Sequence, residues 1–180
     1  MKKHPTTRGF GPALAAVAVL WLVTGCGPST PEGIDPVTGF EVKRYMGRWY
    51  EIARLDHRFE RGMEQVTADY ALRPDGTVSV VNRGFETADG QWREARGKAR
   101  FAGDPTVGAL EVSFFGPFYG GYNIVDLDPA YQHALIAGPN RSYLWILSRT
   151  PRPPRAEVER LVGRAASLGF DTQSLIYVKH

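Results

Sequence analysis

An all-β fold, a closed eight-stranded antiparallel up-and-down barrel with a C-terminal α-helix packed outside and a short ninth strand, is what this sequence predicts. Three observations carry the prediction. From Trp49 onward, short runs of β-forming residues are separated by turn clusters at the spacing of a barrel or sandwich. The connections are too short for parallel crossovers, so neighbouring strands must run antiparallel. The apolar period becomes helical only after the last long run, in the stretch from Pro154 to Gly169. Full closure removes exposed strand edges, whereas a two-sheet sandwich gives the late helix no place.

The chain begins with Lys2, Lys3 and Arg8, followed by an uncharged apolar stretch from Ala13 to Val23 and then Val23-Thr24-Gly25-Cys26. This reads as an export signal over residues 1–25. The apolar stretch is 11 residues long, whereas a spanning helix needs about 20. A permanent membrane span is therefore disfavoured. Small residues before a cysteine resemble the bacterial lipobox, in which Cys26 is acylated and becomes the first residue of the mature chain; a plain secretory signal with an incidental thiol is the alternative. Cys26 is the only cysteine, so no internal disulfide can form and the fold rests on its core. Residues 26–40, with Gly and Pro over 27–36, read as a tether, and 41–180 as one domain.

Charge argues against a nucleic-acid partner. The formal net charge of +3 belongs to the precursor. Removing residues 1–25 takes three basic side chains and no acid, which leaves 19 basic against 19 acidic residues. The mature chain is formally neutral, and the electrostatic footprint of a nucleic-acid binder is gone.

Strands are expected over 48–54, 66–73, 77–85, 92–102, 108–115, 121–127, 131–137 and 142–149. Pro74-Asp75-Gly76, Ala88-Asp89-Gly90, Gly103-Asp104-Pro105 and Gly138-Pro139-Asn140 supply the turns. Phe115 to Gly121, rich in aromatics and glycine, reads as a wide turn, with an entrance feature as the alternative, and Asp56-His57 reads as a solvated loop pair. Val158, Leu161, Val162, Ala165 and Leu168 recur at helical spacing after Pro154, and Gly169 stands where that helix would end. Ser174 to Val178 reads as the final strand, at the sheet edge. In the fifth strand Leu110, Val112 and Phe114 share a face opposite Glu111 and Ser113, so the apolar set faces inward. In the eighth strand both faces are apolar, and Leu144 and Ile146 form the face that receives the helix.

Gly47-Arg48-Trp49 at the start of the first strand, Asp56 to Gly62, the run Ser113 to Asn123, and Tyr143 to Pro151 together resemble the lipocalin family, in particular its bacterial outer-membrane lipoproteins. The resemblance spans roughly Val42 to Val178. It implies that Gly47, Trp49 and Arg149 are structural: Trp49 packs across the closed end with the Arg149 guanidinium over its indole. It also fixes the inner face, because Arg149 at the barrel floor turns Tyr143, Trp145 and Leu147 inward, and the same registration puts Tyr122, Ile124, Val80 and Asn82 inside. With Leu110, Val112 and Phe114, these form an apolar and aromatic lining suited to a hydrocarbon chain with a small polar end. A barrel filled by its own side chains is the alternative. The family's turn between the sixth and seventh strands is replaced by Leu127-Asp128-Pro129-Ala130-Tyr131, where only Asp128 matches. Contacts that relatives make through that turn do not transfer.

The resemblance implies a lipid partner, a fatty acid or lysophospholipid, with the protein held by acylated Cys26 in the outer membrane and facing the periplasm. Gly27 stands where an inner-membrane retention signal would have Asp. One acyl chain alone anchors only marginally, and lipoproteins of this kind carry more than one. No cofactor, metal or catalytic constellation is expected, since His57 and His133 lack metal-ligand spacing. A homodimer is one assembly open to the chain. Two other classes of function stay in view: a lipocalin-fold enzyme acting on a hydrophobic substrate through Tyr122, Tyr143 or Glu51, and an envelope adaptor using the barrel rim.

Overall fold

Alternation of β-formers and turn residues produces one sheet that closes on itself. The computed structural model describes residues 30–180; the expected export signal and Cys26 lie outside them. A one-turn helix α1 (Val42–Tyr45) leads into β1 (Gly47–Arg54), β2 (Met63–Leu72), β3 (Val78–Glu86), β4 (Gln91–Phe101), β5 (Ala109–Phe115), β6 (Phe118–Leu127), β7 (His133–Ala137) and β8 (Leu144–Ser148). Helix α2 (Arg155–Ser167), a 3-10 turn (Thr172–Ser174) and β9 (Ile176–Tyr177) complete the chain. Each strand pairs antiparallel with the next, and β1 pairs with both β8 and β2, which closes the barrel.

Several boundaries differ from those the sequence suggests. Strand β6 begins at Phe118, because β5 and β6 continue as a narrow hairpin turning at Gly116-Pro117, with Phe115 paired to Phe118. The stretch expected to be a wide turn is therefore mostly strand. β9 is only two residues long and does not extend a free edge. It pairs with β1 through Ala53↔Tyr177 and Arg54↔Ile176, in the wedge where β2 has parted from β1. Helix α1 was not predicted, since four residues are too few to display a period.

The connections β1–β2, β3–β4, β5–β6 and β7–β8 lie at one end of the barrel, the mouth. Those joining β2–β3, β4–β5 and β6–β7 lie at the other, the floor, together with α1. Two apolar clusters result. The inner one fills the floor half and includes Phe40, Tyr45, Trp49, Tyr70, Val80, Leu110, Ile124, Ile136 and Leu147. The outer one joins Ala53, Leu135, Ala137, Leu144 and Ile146 of the barrel wall to Leu161 and Ala165 of α2. Burying a Leu such as Leu161 contributes about 1.5–3 kcal/mol, so this single face holds the helix in place. Gly169 (φ +80) ends it, with Phe170 N–H donating to Ala165 O at 3.2 Å.

Candidate functional site

The floor is closed by side chains around Trp49. Its indole N–H donates to Tyr45 O at 2.9 Å, and the Arg149 guanidinium lies 4.0 Å over its ring. Arg149 also donates to the backbone carbonyls of Arg44 (2.8 Å), Arg48 (2.9 Å) and Tyr131 (3.2 Å), which ties α1, β1 and the β6–β7 turn together. Gly47 has a φ of +94, and a Cβ there would stand 3.4 Å from the Arg149 guanidinium. Asp128 accepts from the backbone N–H groups of Ala130, Gln132 and His133 and so shapes the β6–β7 turn.

Above the floor, three tyrosine hydroxyls meet inside the barrel. Tyr122 bridges Tyr45 at 2.8 Å and Tyr70 at 3.0 Å. Burial raises the pKa of all three above the ordinary phenol value, so they are neutral hydrogen-bonding groups. Beside them a cavity of about 20 Å³ is lined by Tyr45, Tyr70, Leu110, Val112 and Tyr122 among others, room for about one water. The floor half is thus packed. Val80, Leu110, Ile124 and Leu147 belong to this packed core, and Val112 and Tyr122 mark its upper boundary. The side-chain-filled interior weighed from the sequence describes this half.

The mouth half differs between its walls. On β2, β3, β4 and β6 several inward positions are small or short, Ala68, Asn82, Gly84, Ala95, Gly97 and Gly120, with Val66 and Arg93 beside Gly84 at the rim. A Cβ on Gly120 would meet nothing within 4 Å, whereas one on Gly97 would meet the Phe114 ring at 2.9 Å. Phe114 therefore lies flat against the Gly97 backbone. The Asn82 Oδ1 is buried without a hydrogen-bond partner.

The opposite wall carries buried charge. Trp145 on β8 donates from Nε1 to Glu60 at 3.1 Å, and the same carboxylate lies 3.0 Å from His57 Nε2. Arg54 donates to Glu51 at 2.8 Å and to the carbonyls of Glu60 (2.6 Å) and Met63 (3.3 Å). Arg54 is 1% exposed and Glu51 4%. Tyr143 stacks on Trp145 with centroids 6.2 Å apart and sits 5.7 Å from His57.

Burial, reinforced by the charge of Glu60, pushes the Glu51 carboxyl well above the usual carboxylate range, against the pull of Arg54. Burial acts on Glu60 too, but His57 and the Trp145 N–H outweigh it and hold that group below its ordinary value. Two neighbouring buried carboxyls are therefore driven in opposite directions.

Two features of this wall differ from the sequence reading. His57 is not a solvated partner of Asp56: it is 7% exposed, while Asp56 pairs with Arg61 outside at 2.6 Å. Arg54, which strict alternation from Trp49 would point outward, faces in. A bulge at Ile52 is the reason, since Glu51 sits opposite Leu147 but Ala53 sits opposite Ile146 and Arg54 opposite Trp145. A separate hollow of about 370 Å³ is a groove on the outer face bounded by Arg48, Tyr50, Arg83, Trp92 and His180.

Comparison with known proteins places this geometry. The model of a lipocalin-like domain matches residues 40–180. The chain is 52% identical over 169 residues to the outer membrane lipoprotein Blc of Citrobacter freundii, covering 93% of this chain and 96% of that one. The same figures hold for the outer membrane lipoprotein Blc of Escherichia coli K12. Among solved structures, insecticyanin from the tobacco hornworm Manduca sexta superposes with a TM-score of 0.65 at 20% identity, over 85% of this chain and 87% of that one, a likeness of fold alone.

Proposed function

This chain belongs to the lipocalin family, and on that footing we propose that it binds, stores or carries an amphiphilic lipid, a fatty acid or lysophospholipid, in the bacterial envelope. It does so as a lipoprotein held by acylated Cys26 in the outer membrane and facing the periplasm. Relatives named as outer membrane lipoproteins cover almost the whole chain, and the small residues before Cys26 fit an acylation site.

The observation that carries the reading is the two-sided mouth half. Small and apolar groups on β2–β6 leave space for an acyl chain, while Glu60, His57 and the Trp145 indole offer polar partners to a head group. If about half of a ~16-carbon chain is buried above the packed floor, it contributes on the order of 6 kcal/mol at about 0.8 per methylene. Association costs take several kcal/mol of that. Polar contacts at the mouth must supply the remainder, which makes Trp145, Tyr143 and Asn82 the positions that decide affinity.

The test is titration of the mature domain, stripped of co-purified lipid, with a lysophospholipid. Tryptophan emission is expected to quench saturably, and Trp145→Ala to weaken binding about tenfold or more. No saturable binding of any fatty acid or lysophospholipid ends the proposal.

One observation favours a second reading, an enzyme with an acid–base pair. Glu51 and Glu60 are buried carboxyls whose environments drive them apart, the arrangement by which one group keeps a proton while the other accepts one. That reading requires turnover of a hydrophobic substrate that both Glu51→Gln and Glu60→Gln abolish.

A further inference from the structure

Five large apolar side chains of the described residues are more than half exposed; two of them, Trp92 (58%) and Tyr177 (58%), lie on the barrel wall, and the other three form a group. Phe115 (75% exposed) and Phe118 (79%) flank the tip of the β5–β6 hairpin, and Phe59 (56%) projects from the β1–β2 segment. All three stand at the mouth. At the floor, Arg44, Arg48 and Arg149 lie in and around α1, and Leu72 is exposed at 39%.

The N-terminal segment runs toward the same end. From Phe40, bonded to Thr106 at the floor, it climbs past Val37 beside Ile124 to Glu32, whose carbonyl accepts from Arg141 in the β7–β8 mouth turn at 2.7 Å. Thr30 then bonds Asn123 at 3.0 Å. Five residues of β6 separate Asn123 from Phe118. At about 3.3 Å per residue and a strand tilt near 40°, the hairpin tip lies ~13 Å further along the barrel axis. Cys26 precedes Thr30 by four residues, a leash of at most ~14 Å. An acylated Cys26 can therefore sit at the level of the aromatic tip and little beyond it.

Charge at the mouth is partly cancelled locally. Arg61 pairs with Asp56 and Arg93 with Asp89, while Arg141 keeps its charge and donates to two backbone carbonyls. Arg58 lies over the Phe59 ring, 4.8 Å from its centroid. Such a surface offers aromatic rings without a strong field, which suits the headgroup layer of a zwitterionic bilayer better than an acidic partner.

We infer that the barrel mouth is a membrane-docking surface: Phe59, Phe115 and Phe118 enter a zwitterionic phospholipid surface and hold the opening of the barrel against the bilayer. The leash argument rests on acylation of Cys26, as proposed above; the aromatic surface does not. Docking in this sense shortens the path of a lipid between bilayer and cavity and keeps its chain from crossing water.

The experiment uses phosphatidylcholine vesicles, some with bromine-labelled acyl chains. In the acylated mature protein, Phe118→Trp adds an indole at the tip, and bromine is expected to quench more than about half of the added emission with a blue shift. In the Cys26→Ser protein, Phe115→Ser with Phe118→Ser is expected to lower vesicle partitioning about tenfold or more, with little change in 1 M salt. Added emission that stays red and unquenched overturns the inference, as does equal partitioning of the two proteins. Partitioning that collapses in salt assigns the contact to charge and overturns it too. So does a salt-stable dimer that depends on the same phenylalanines and forms in place of vesicle binding. Lysophospholipid titration of the double variant, run in parallel, separates the two proposals: it stays saturable if only the rim is affected. If titration fails in every protein while quenching persists, the ligand reading falls and docking stands.

Discussion

Replacing Arg54 by Met removes the one cation that satisfies Glu51 and, at the same time, the clamp between β1 and the segment crossing the mouth. Breaking a buried ion pair from one side costs about 3–5 kcal/mol. The low end applies here, because Glu51 can neutralise itself by keeping its proton. The carbonyls of Glu60 and Met63 lose their donor as well, adding on the order of 1 kcal/mol. A loss of about 4 kcal/mol lowers the Tm of a domain this size by roughly 8–16 °C. Thermal unfolding followed by circular dichroism reads that loss. Amide exchange over Leu55 to Met63 should accelerate beyond the global change, since the clamp is local. The double variant Glu51→Leu with Arg54→Met should recover most of the stability, as apolar replacements of whole buried pairs do. A loss under about 1 kcal/mol, or a double variant no better than the single one, would refute the view that Arg54 stabilises the mouth by pairing.

The other expectations concern protons, packing and the floor. The folded chain keeps the Glu51 proton to higher pH than the unfolded chain, which releases it in the ordinary carboxylate range. Its contribution to stability therefore falls as pH rises from that range to the raised value of Glu51, by about 1.4 kcal/mol per pH unit. Glu60 acts in the opposite sense, contributing stability above the ordinary range that is lost as pH falls through its lowered value. Glu51→Gln should flatten the alkaline side of the Tm–pH curve and leave the acid side set by Glu60; parallel curves for the two proteins would contradict this. Gly97→Ala should cost about 1–3 kcal/mol in urea unfolding, because its Cβ would stand 2.8 Å from the Ser113 carbonyl, which cannot move freely. Gly84→Ala should cost clearly less, since the group in its way is the flexible Met63 thioether at 2.9 Å. Arg149→Met should lower stability by about 2–3 kcal/mol through its three carbonyl bonds and its contact with Trp49, discounted for partial exposure. Lysophospholipid affinity should hardly change in that variant, which titration would verify.

Much of the barrel is legible along the chain because alternation and turn chemistry are local properties. Leu110, Val112 and Phe114 face in, while Leu144 and Ile146 meet α2, as their pattern requires. Trp49 and Arg149 are a different case. They lie a hundred residues apart in sequence, and their roles came from a family likeness, since no local pattern joins them. The β5–β6 hairpin was misread for a local reason: Gly-rich, Pro-containing sequence looks like a loop even where its flanks pair.

The buried charge at the mouth could not be read from the sequence at all. Glu51, Arg54, His57 and Glu60 look like ordinary surface residues at the end of a strand and in the loop that follows. Two tertiary facts bring them inside. The bulge at Ile52 reverses the alternation, so that Arg54 lands opposite Trp145, and the β1–β2 segment folds back over the opening so that His57 and Glu60 point down onto that indole. The sequence by itself determined the barrel, its closure, the helix outside and the neutral surface, because period, turn residues and composition act over short stretches. Only the tertiary structure decided how deep the open space runs and which charges border it. Those depend on a one-residue slip in strand register and on groups that meet only when the mouth is formed.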